Sequence, residues 1–116
     1  MVDAMKRLVE MFAARTTDRS TLDELQRMLA DRDTWHEAHE LFQRIRSKNL
    51  DAGRRGDARL AAQYSFEEAC AKTLYNVTGR PAPFDADSPY WVVPNALATA
   101  QHLGIVERDI VAIVVA

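Results

Sequence analysis

Apolar residues recur at helical intervals along most of the 116-residue chain. Spacings of three and four residues align them on one helical face, because the α-helix repeats about every 3.6 residues. No segment shows the sustained apolar and polar alternation, flanked by turn signals, that predicts a β-hairpin. The pattern therefore predicts an all-α fold, a compact single-domain bundle of five or six helices.

Two capping boxes are expected to start the second and third helices. In a capping box, a Ser or Thr is followed three residues later by a Glu, and the two side chains satisfy backbone N–H groups reciprocally. Thr21 with Glu24 matches this pattern, and Thr34 with Glu37 repeats it. The first three helices are expected over residues 2–15, about 21–31 and about 34–52.

The fourth predicted helix is apolar over most of its circumference. Asp57 is its expected N-cap and Gly79 its expected end. Ser65 followed by Glu68 also fits a capping box, so a break near Tyr64 is the competing interpretation. A helix that is apolar nearly all round is buried on several sides, so we expect this long helix to be the central element.

Two polar residues, Gln63 and Glu67, fall inside the apolar arc of this helix, one turn apart. Burying a carboxylate is costly unless it is paired or protonated. Glu67 is therefore either a member of a structural network, with an arginine or backbone partner, or a functional acid. We favour the structural interpretation and keep Gln63 and Glu67 as candidate binding residues, because the sequence identifies no nucleophile or second acid beside them.

Three prolines interrupt the periodicity in RPAPFDADSP, residues 80–89, which is the expected long loop. Ser88 as cap and Pro89 at the first helical position open a fifth helix that stops at Gly104. Residues 106–115 form the last helix, so the two helices make a C-terminal αα-hairpin.

Four large apolar residues, YWVV at 90–93, begin the fifth helix. They cannot all face one core, because successive side chains on a helix turn by about 100°. Either other parts of the chain cover them on several sides, or Tyr90 and Trp91 stay exposed. An exposed Tyr–Trp pair resembles an interaction hot spot, so we expect residues 83–94 to contribute to a homodimer or partner surface.

Residues 44–59 are locally basic, and Arg54 and Arg55 stand between two glycines. Such a stretch could bind an anion or a phosphate backbone. Positive side chains also favour helix C-termini simply because they interact with the negative end of the helix dipole. Aromatic residues that could stack on bases are absent from this stretch. We favour a solvated helix face, and keep Arg54 and Arg55 as candidate binding residues.

The C-terminal hairpin resembles a helix-turn-helix in its spacing, with Ala100, Gly104 and Ile110 at the expected small, turn and apolar positions. Its second helix offers only Arg108 as a donor to bases, beside two acidic residues. Such a helix is poorly suited to recognise base edges in the major groove of DNA. We therefore interpret it as a hairpin that packs on the core, and specific nucleic-acid binding is not expected.

The stretch TWHEAHELF, residues 34–42, approaches the HExxH pattern of zinc proteases. Its histidines, His36 and His39, are three residues apart rather than four, and a usable site needs further ligands from elsewhere. The helical wheel turns His36 toward water and leaves His39 at the rim of the apolar face. We interpret the stretch as an ordinary helix face and expect no metal and no cofactor.

Composition agrees with one folded domain over residues 1–116: 47% of residues are apolar and 28% are charged. The net charge of −2 predicts no strong attraction to nucleic acid or membrane. Cys70 is the single cysteine, which excludes an internal disulfide and favours a reducing compartment. No apolar run approaches the roughly 20 residues of a membrane span, and we expect a cytoplasmic protein.

The function predicted from these patterns is a non-enzymatic protein–protein interaction module, such as an inhibitor, an immunity-like protein or an adaptor. It rests mainly on the lack of a convincing catalytic or cofactor motif. The first alternative is a nucleic-acid-associated regulator that uses residues 44–59 or the C-terminal hairpin. The second alternative is a small enzyme or ligand binder built around Glu67.

Overall fold

The computed structural model describes residues 1–78 and 89–116, which form six α-helices and one 3-10 helix, with no strand among them. This confirms the predicted all-α bundle. The helices, in chain order, are α1 (Val2–Ala13), α2 (Ser20–Ala30), the 3-10 helix (Arg32–Glu37), α3 (Ala38–Arg54), α4 (Ala58–Asn76), α5 (Pro89–Leu103) and α6 (Glu107–Val115).

Helix α4 is the central element, as its apolar circumference predicts. It packs most extensively against α3 and α5, and it also contacts α2 and the 3-10 helix. The carboxylate Oδ1 of Asp57 accepts a hydrogen bond from the Leu60 backbone N at 3.0 Å, which confirms the predicted N-cap. The competing break near Tyr64 is wrong, because α4 is continuous. Its predicted end at Gly79 and residues 80–88 of the predicted loop, including the Ser88 cap, lie outside the described residues.

The core joins α1 to α4 through aromatic packing. The rings of Phe12 and Phe66 meet edge to face with centroids 4.9 Å apart, an arrangement that contributes about 0.5–1.5 kcal/mol beyond the area it buries. Fully buried aliphatic side chains surround this pair; they include Leu8, Leu22, Leu25, Leu41, Ile45, Leu74 and Ile110.

The predicted start of the third helix at Thr34 is wrong. Residues Arg32–Glu37 form a tight 3-10 helix, and α3 begins only at Ala38. The reason is a contact with the preceding helix: the buried indole of Trp35 donates from Nε1 to the Met28 carbonyl at the end of α2, at 2.8 Å. Thr34 donates its hydroxyl to the Asp31 carbonyl at 2.7 Å instead of capping a helix.

The capping box predicted at Thr21 and Glu24 is also wrong. Helix α2 begins at Ser20, after an Arg19 N-cap that makes no side-chain cap hydrogen bond. Thr21 is buried, and Glu24 accepts a hydrogen bond on Oε2 from Arg44 Nη1 at 2.9 Å. Both side chains therefore form contacts with other helices rather than with their own first turn.

The predicted C-terminal αα-hairpin is confirmed by the turn at Gly104. This glycine has a φ of 71°, in the left-handed region that side chains with a Cβ rarely adopt. The next residue, Ile105, donates its backbone N–H to the Ala100 carbonyl at 2.9 Å, as expected at a helix end closed by a left-handed residue. None of the described helices combines the length and hydropathy needed to cross a membrane.

Candidate functional site

Gln63 is the centre of a buried polar network beneath the connection between α1 and α2. Its Oε1 accepts a hydrogen bond from Thr16 Oγ1 at 3.1 Å, and its Nε2 donates to the Asp18 carbonyl at 2.8 Å. The same Nε2 donates to Glu67 Oε2 at 3.0 Å. The Gln63 amide is thus paired on both of its polar atoms, as a buried amide must be to offset its desolvation.

Arg59 extends this network to the surface. Its guanidinium Nη2 lies 2.7 Å from Asp18 Oδ2 in a half-exposed ion pair. The Asp18 backbone N in turn donates to Thr16 Oγ1 at 3.2 Å. These contacts hold the α1–α2 connection against α4, so the network has a clear structural role.

Glu67 is fully buried, which confirms the burial inferred from its helical position. Burial raises the pKa of its carboxyl group to about 7, against the smaller lowering effects of the Thr21 hydroxyl, the Gln63 amide and the Lys48 charge. Its Oε1 accepts no hydrogen bond of good geometry. The hydrogen-bonding partner of Glu67 is the Gln63 amide, not the arginine or backbone group named from the sequence.

Cys70 lies one turn after Glu67 on α4 and is also fully buried. Burial, followed by the nearby Glu67 charge, raises the pKa of the thiol well above its ordinary value. A thiol becomes a nucleophile by losing its proton, and both groups are shielded from substrates. The pair is therefore poorly suited to acid–base or nucleophilic catalysis in this conformation.

Tyr90 and Trp91 lie on the surface in the first turn of α5. Their exposed fractions are 81% and 58%, whereas the next residue, Val92, is fully buried. Of the two alternatives left open for this segment, the exposed one is therefore correct for Tyr90 and Trp91. Residues 83–88 of the segment lie outside the described residues.

Trp91 borders an open groove of about 240 Å³ between α4 and α5. The polar residues of the groove are Asn95 of α5 and Ser65, Glu68 and Lys72 of α4. Asn49 of α3 donates from Nδ2 to Glu68 Oε1 at 3.3 Å and so holds this carboxylate in place. Partial burial raises the pKa of Glu68, while Asn49 and nearby cations lower it by less.

The two candidate regions lie on opposite faces of α4. Gln63 and Glu67 turn toward the α1–α2 connection, whereas Ser65, Glu68 and Lys72 line the groove beside α5. The separation follows from the rotation of about 100° per residue along a helix. No substrate or partner could contact both regions at once without opening the core.

Arg54 and Arg55 lie at the C-terminal end of α3, exposed to solvent and apart from both regions. The Arg55 side chain pairs with Asp51, with Nε and Oδ2 3.3 Å apart. Elsewhere in the basic stretch, Arg44 pairs with Glu24 and Arg59 with Asp18. Part of the positive charge of residues 44–59 is thus balanced, and the binding role of Arg54 and Arg55 stays a prediction.

The two histidines of the zinc-protease-like stretch have different surroundings. His36 is exposed, while His39 packs its ring near Phe42 and Tyr75, at centroid distances of 6.2 and 5.6 Å. Within residues 1–78 and 89–116, no group of three potential metal-ligating side chains lies together. The histidines therefore do not form part of a recognisable metal centre in the described part of the chain.

Comparison of this chain with protein-family models, with curated proteins and with solved structures finds no match. The residues that sequence reasoning missed are Thr16 and Asp18, which are far along the chain from Gln63 and contact α4 only in the folded structure. Their local pattern, TTDRST, only indicates helix capping, and no short-range signal connects it to Gln63. The groove residues Ser65, Glu68 and Lys72 are visible in the sequence as a polar stripe of α4.

Proposed function

We propose that this protein is a non-enzymatic protein-interaction module whose contact surface is the Trp91 face. This face consists of Tyr90, Trp91 and Asn95 of α5 together with Glu68 and Lys72 of α4. The observation that supports it is the exposure of two adjacent large aromatic side chains, 81% and 58%, on a helix anchored by the buried Val92.

The Trp91 face combines features that favour protein recognition. Tyr and Trp bury a large area while losing little side-chain entropy, so they are frequent in interaction hot spots. The polar groove beside Trp91 offers amide, carboxylate and ammonium groups that can pair at the rim of an interface. Either a second copy of the chain or another protein would be a suitable partner, as in an inhibitor, an immunity-like protein or an adaptor.

Both alternative functions have weaker support. An enzyme or ligand site at Glu67 would need the core to open, since this carboxyl group is fully buried. A nucleic-acid regulator would need an attractive basic surface, whereas the chain carries a net charge of −2 and three arginines of residues 44–59 are paired with acids. We expect only weak, salt-sensitive DNA binding in a gel-shift assay, and sequence-specific binding at nanomolar concentration would contradict this.

The test compares the unmodified chain with Trp91→Ala and with Leu50→Ala. Leu50, on α3, is 52% exposed and borders none of the groove, so it is a matched control for the loss of an exposed apolar side chain. Light scattering gives the mass of each protein, and quantitative affinity capture from the native host identifies partners. We expect Trp91→Ala alone to lose the dimer or to lose specific partners, with its helical circular dichroism retained.

The contradicting outcome is equally specific. If the unmodified chain is a monomer and Trp91→Ala captures the same proteins in the same amounts, the Trp91 face is not the contact surface. A Trp91→Ala protein that unfolds would contradict the proposal as well, because an exposed contact residue should be dispensable for folding.

A further inference from the structure

A layer of polar side chains docks the connection between α1 and α2 onto the central helix. Residues 14–19 form this connection, and Gln63 of α4 accepts a hydrogen bond from the Thr16 hydroxyl and donates one to the Asp18 carbonyl. Arg59 pairs with Asp18 at the rim of the layer. Hydrogen bonds of this kind contribute little net free energy, because water offers equivalent partners when they open. The connection is therefore held by contacts that solvent can replace.

Apolar contacts set the limits of any opening at this connection. Phe12 of α1 and Leu22 of α2 lie on either side of it, and both are fully buried. Helix α4 also packs more extensively against α3 and α5 than against α2. Water cannot replace the burial of apolar side chains. The segment between Phe12 and Leu22 is therefore the part of the bundle that opens at the lowest cost beside Gln63.

The carboxyl group of Glu67 lies at the base of this polar layer and is fully buried. Its Oε2 accepts the hydrogen bond from Gln63 Nε2 at 3.0 Å, whereas its Oε1 accepts none of good geometry. A protonated carboxyl group has one carbonyl oxygen that must accept, while a carboxylate has two such oxygens. The closed layer offers one well-placed donor, so it suits the protonated form.

Few charges act on this carboxyl group. Lys48 of α3 is exposed and lowers the pKa of Glu67 only slightly, and Thr21 of α2 faces it with a neutral hydroxyl. On α4, burial raises the pKa of both Tyr64 and Cys70, so these neighbours are neutral near pH 7. The connection contributes the rim ion pair, in which the two charges offset each other. Among the described residues, α1, the 3-10 helix and α5 contribute no charge to the shift of this pKa.

We propose that Glu67 is a proton-controlled latch for the connection between α1 and α2. The protonated side chain keeps residues 13–21 docked on α4, and loss of the proton releases them so that water reaches the carboxylate. Helices α3, α4, α5 and α6 stay packed, because their contacts are apolar. The latch lies on the face of α4 opposite the Trp91 face, so it is independent of the function proposed above.

The opening should increase as pH rises. Burial raises the pKa of Glu67 to about 7 in the closed layer, and a solvated carboxyl group in the open one has the ordinary value of 4.5. The closed layer thus binds the proton more tightly, and its advantage declines from about pH 4.5 until pH passes about 7. Between about pH 6 and about pH 8.5, the opening equilibrium should rise about tenfold.

Limited digestion of the full chain with trypsin measures this opening. Arg15 and Arg19 are exposed cleavage sites in the connection, and Arg54 and Arg55, exposed at the end of α3, are the internal reference. Mass spectrometry of the first products gives the ratio of cleavage at the two pairs, which cancels the pH dependence of trypsin itself. We expect this ratio to rise about tenfold between the two pH values in the unmodified chain.

Two variants assign the effect to one carboxyl group. Glu67→Gln removes the ionisable group and should make the ratio independent of pH. It keeps the three histidines of the chain, which titrate in the same range, so any effect of theirs would persist. Glu68→Gln, which removes a carboxyl group from the opposite face of α4, should keep the rise of about tenfold.

The outcomes that overturn the latch are distinct. They are an unchanged ratio in the unmodified chain, no cleavage at Arg15 and Arg19 at the higher pH, or an equal rise of the ratio in Glu67→Gln. Cleavage that increases equally at both pairs of sites would indicate global unfolding and would contradict a local release. Thermal midpoints are measured in parallel, and a Glu67→Gln protein less stable than the unmodified chain at the higher pH would also overturn the proposal.

Discussion

Gln63 donates a hydrogen bond from Nε2 to Oε2 of Glu67 across 3.0 Å, one turn apart on the central helix α4. The other carboxyl oxygen of Glu67 accepts none of good geometry, and the residue is fully buried. A buried carboxylate supported mainly by neutral groups, the Gln63 amide and the Thr21 hydroxyl, is costly in its ionised form. This relationship makes the stability of the bundle sensitive both to pH and to the identity of either residue.

The first prediction concerns Glu67→Gln and pH. The pKa of Glu67 is raised to about 7 in the folded protein from an ordinary 4.5. Between these two pH values, the folded protein therefore keeps a proton on Glu67 that the unfolded chain releases. Stability is therefore highest with respect to this group at low pH, and it falls as pH rises through about 7. Glu67→Gln removes this charge, so it should raise the free energy of unfolding by up to about 3 kcal/mol at pH values above the folded-state pKa.

The measurement is chemical denaturation of both proteins at about pH 8 and at about pH 4.5. The difference between Glu67→Gln and the unmodified chain should be large at the higher pH and small at the lower one. Using this difference cancels the contributions of other titrating groups, such as Glu68. A difference that is independent of pH would show that the Glu67 carboxyl group titrates normally.

The second prediction concerns Gln63→Leu. This change removes the hydrogen-bond partner that Thr16, Asp18 and Glu67 share. The leucine side chain still fills most of the space of the glutamine. Leaving buried polar groups unpaired should reduce the free energy of unfolding by about 2–4 kcal/mol. Gln43→Leu, at an exposed position of α3, is the matched control and should change stability by less than about 0.5 kcal/mol. Similar effects of the two changes would argue against the network.

The third prediction contrasts the two tryptophans. Trp35 is buried and donates to the Met28 carbonyl, so Trp35→Ala should lower the free energy of unfolding by about 3–5 kcal/mol. Trp91 is 58% exposed, and Trp91→Ala should lower it by less than about 1 kcal/mol. Thermal and urea denaturation of both variants measure the contrast; a reversed order would contradict the exposed position of Trp91.

The fourth prediction concerns Cys70. Its thiol is fully buried and its pKa is raised by burial and by Glu67, so the thiolate that reacts with alkylating reagents is rare and inaccessible. Iodoacetamide should modify native protein far more slowly than protein unfolded in guanidinium, as followed by mass spectrometry. Equal rates in the two states would mean that the core around α4 opens readily.

The helices themselves are determined by local sequence. Their hydrogen bonds connect residues four apart, and their buried faces repeat about every 3.6 residues, so the apolar pattern alone predicts which segments are helical. The Asp57 cap and the Gly104 turn are equally local, because each depends on a few neighbouring residues. Even the burial of Glu67 follows from its angular position on α4.

Packing between different elements of the fold determined the features that local sequence did not predict. Trp35 draws residues Arg32–Glu37 into a 3-10 helix by binding the end of α2, and this tertiary contact prevails over the capping pattern at Thr34. The connection around Thr16 and Asp18 meets Gln63 only because α1 and α2 dock beside α4.

The surface grooves also depend on how the helices pack against one another. A depression of about 480 Å³ is bordered both by Lys6 near the start of α1 and by Val77 directly after α4, two positions that no helical periodicity relates. Likewise, the position of α5 against α4 leaves Trp91 exposed while it buries Val92. The helical repeat fixes the angle between side chains on one helix. Only packing between helices determines which of those side chains face water.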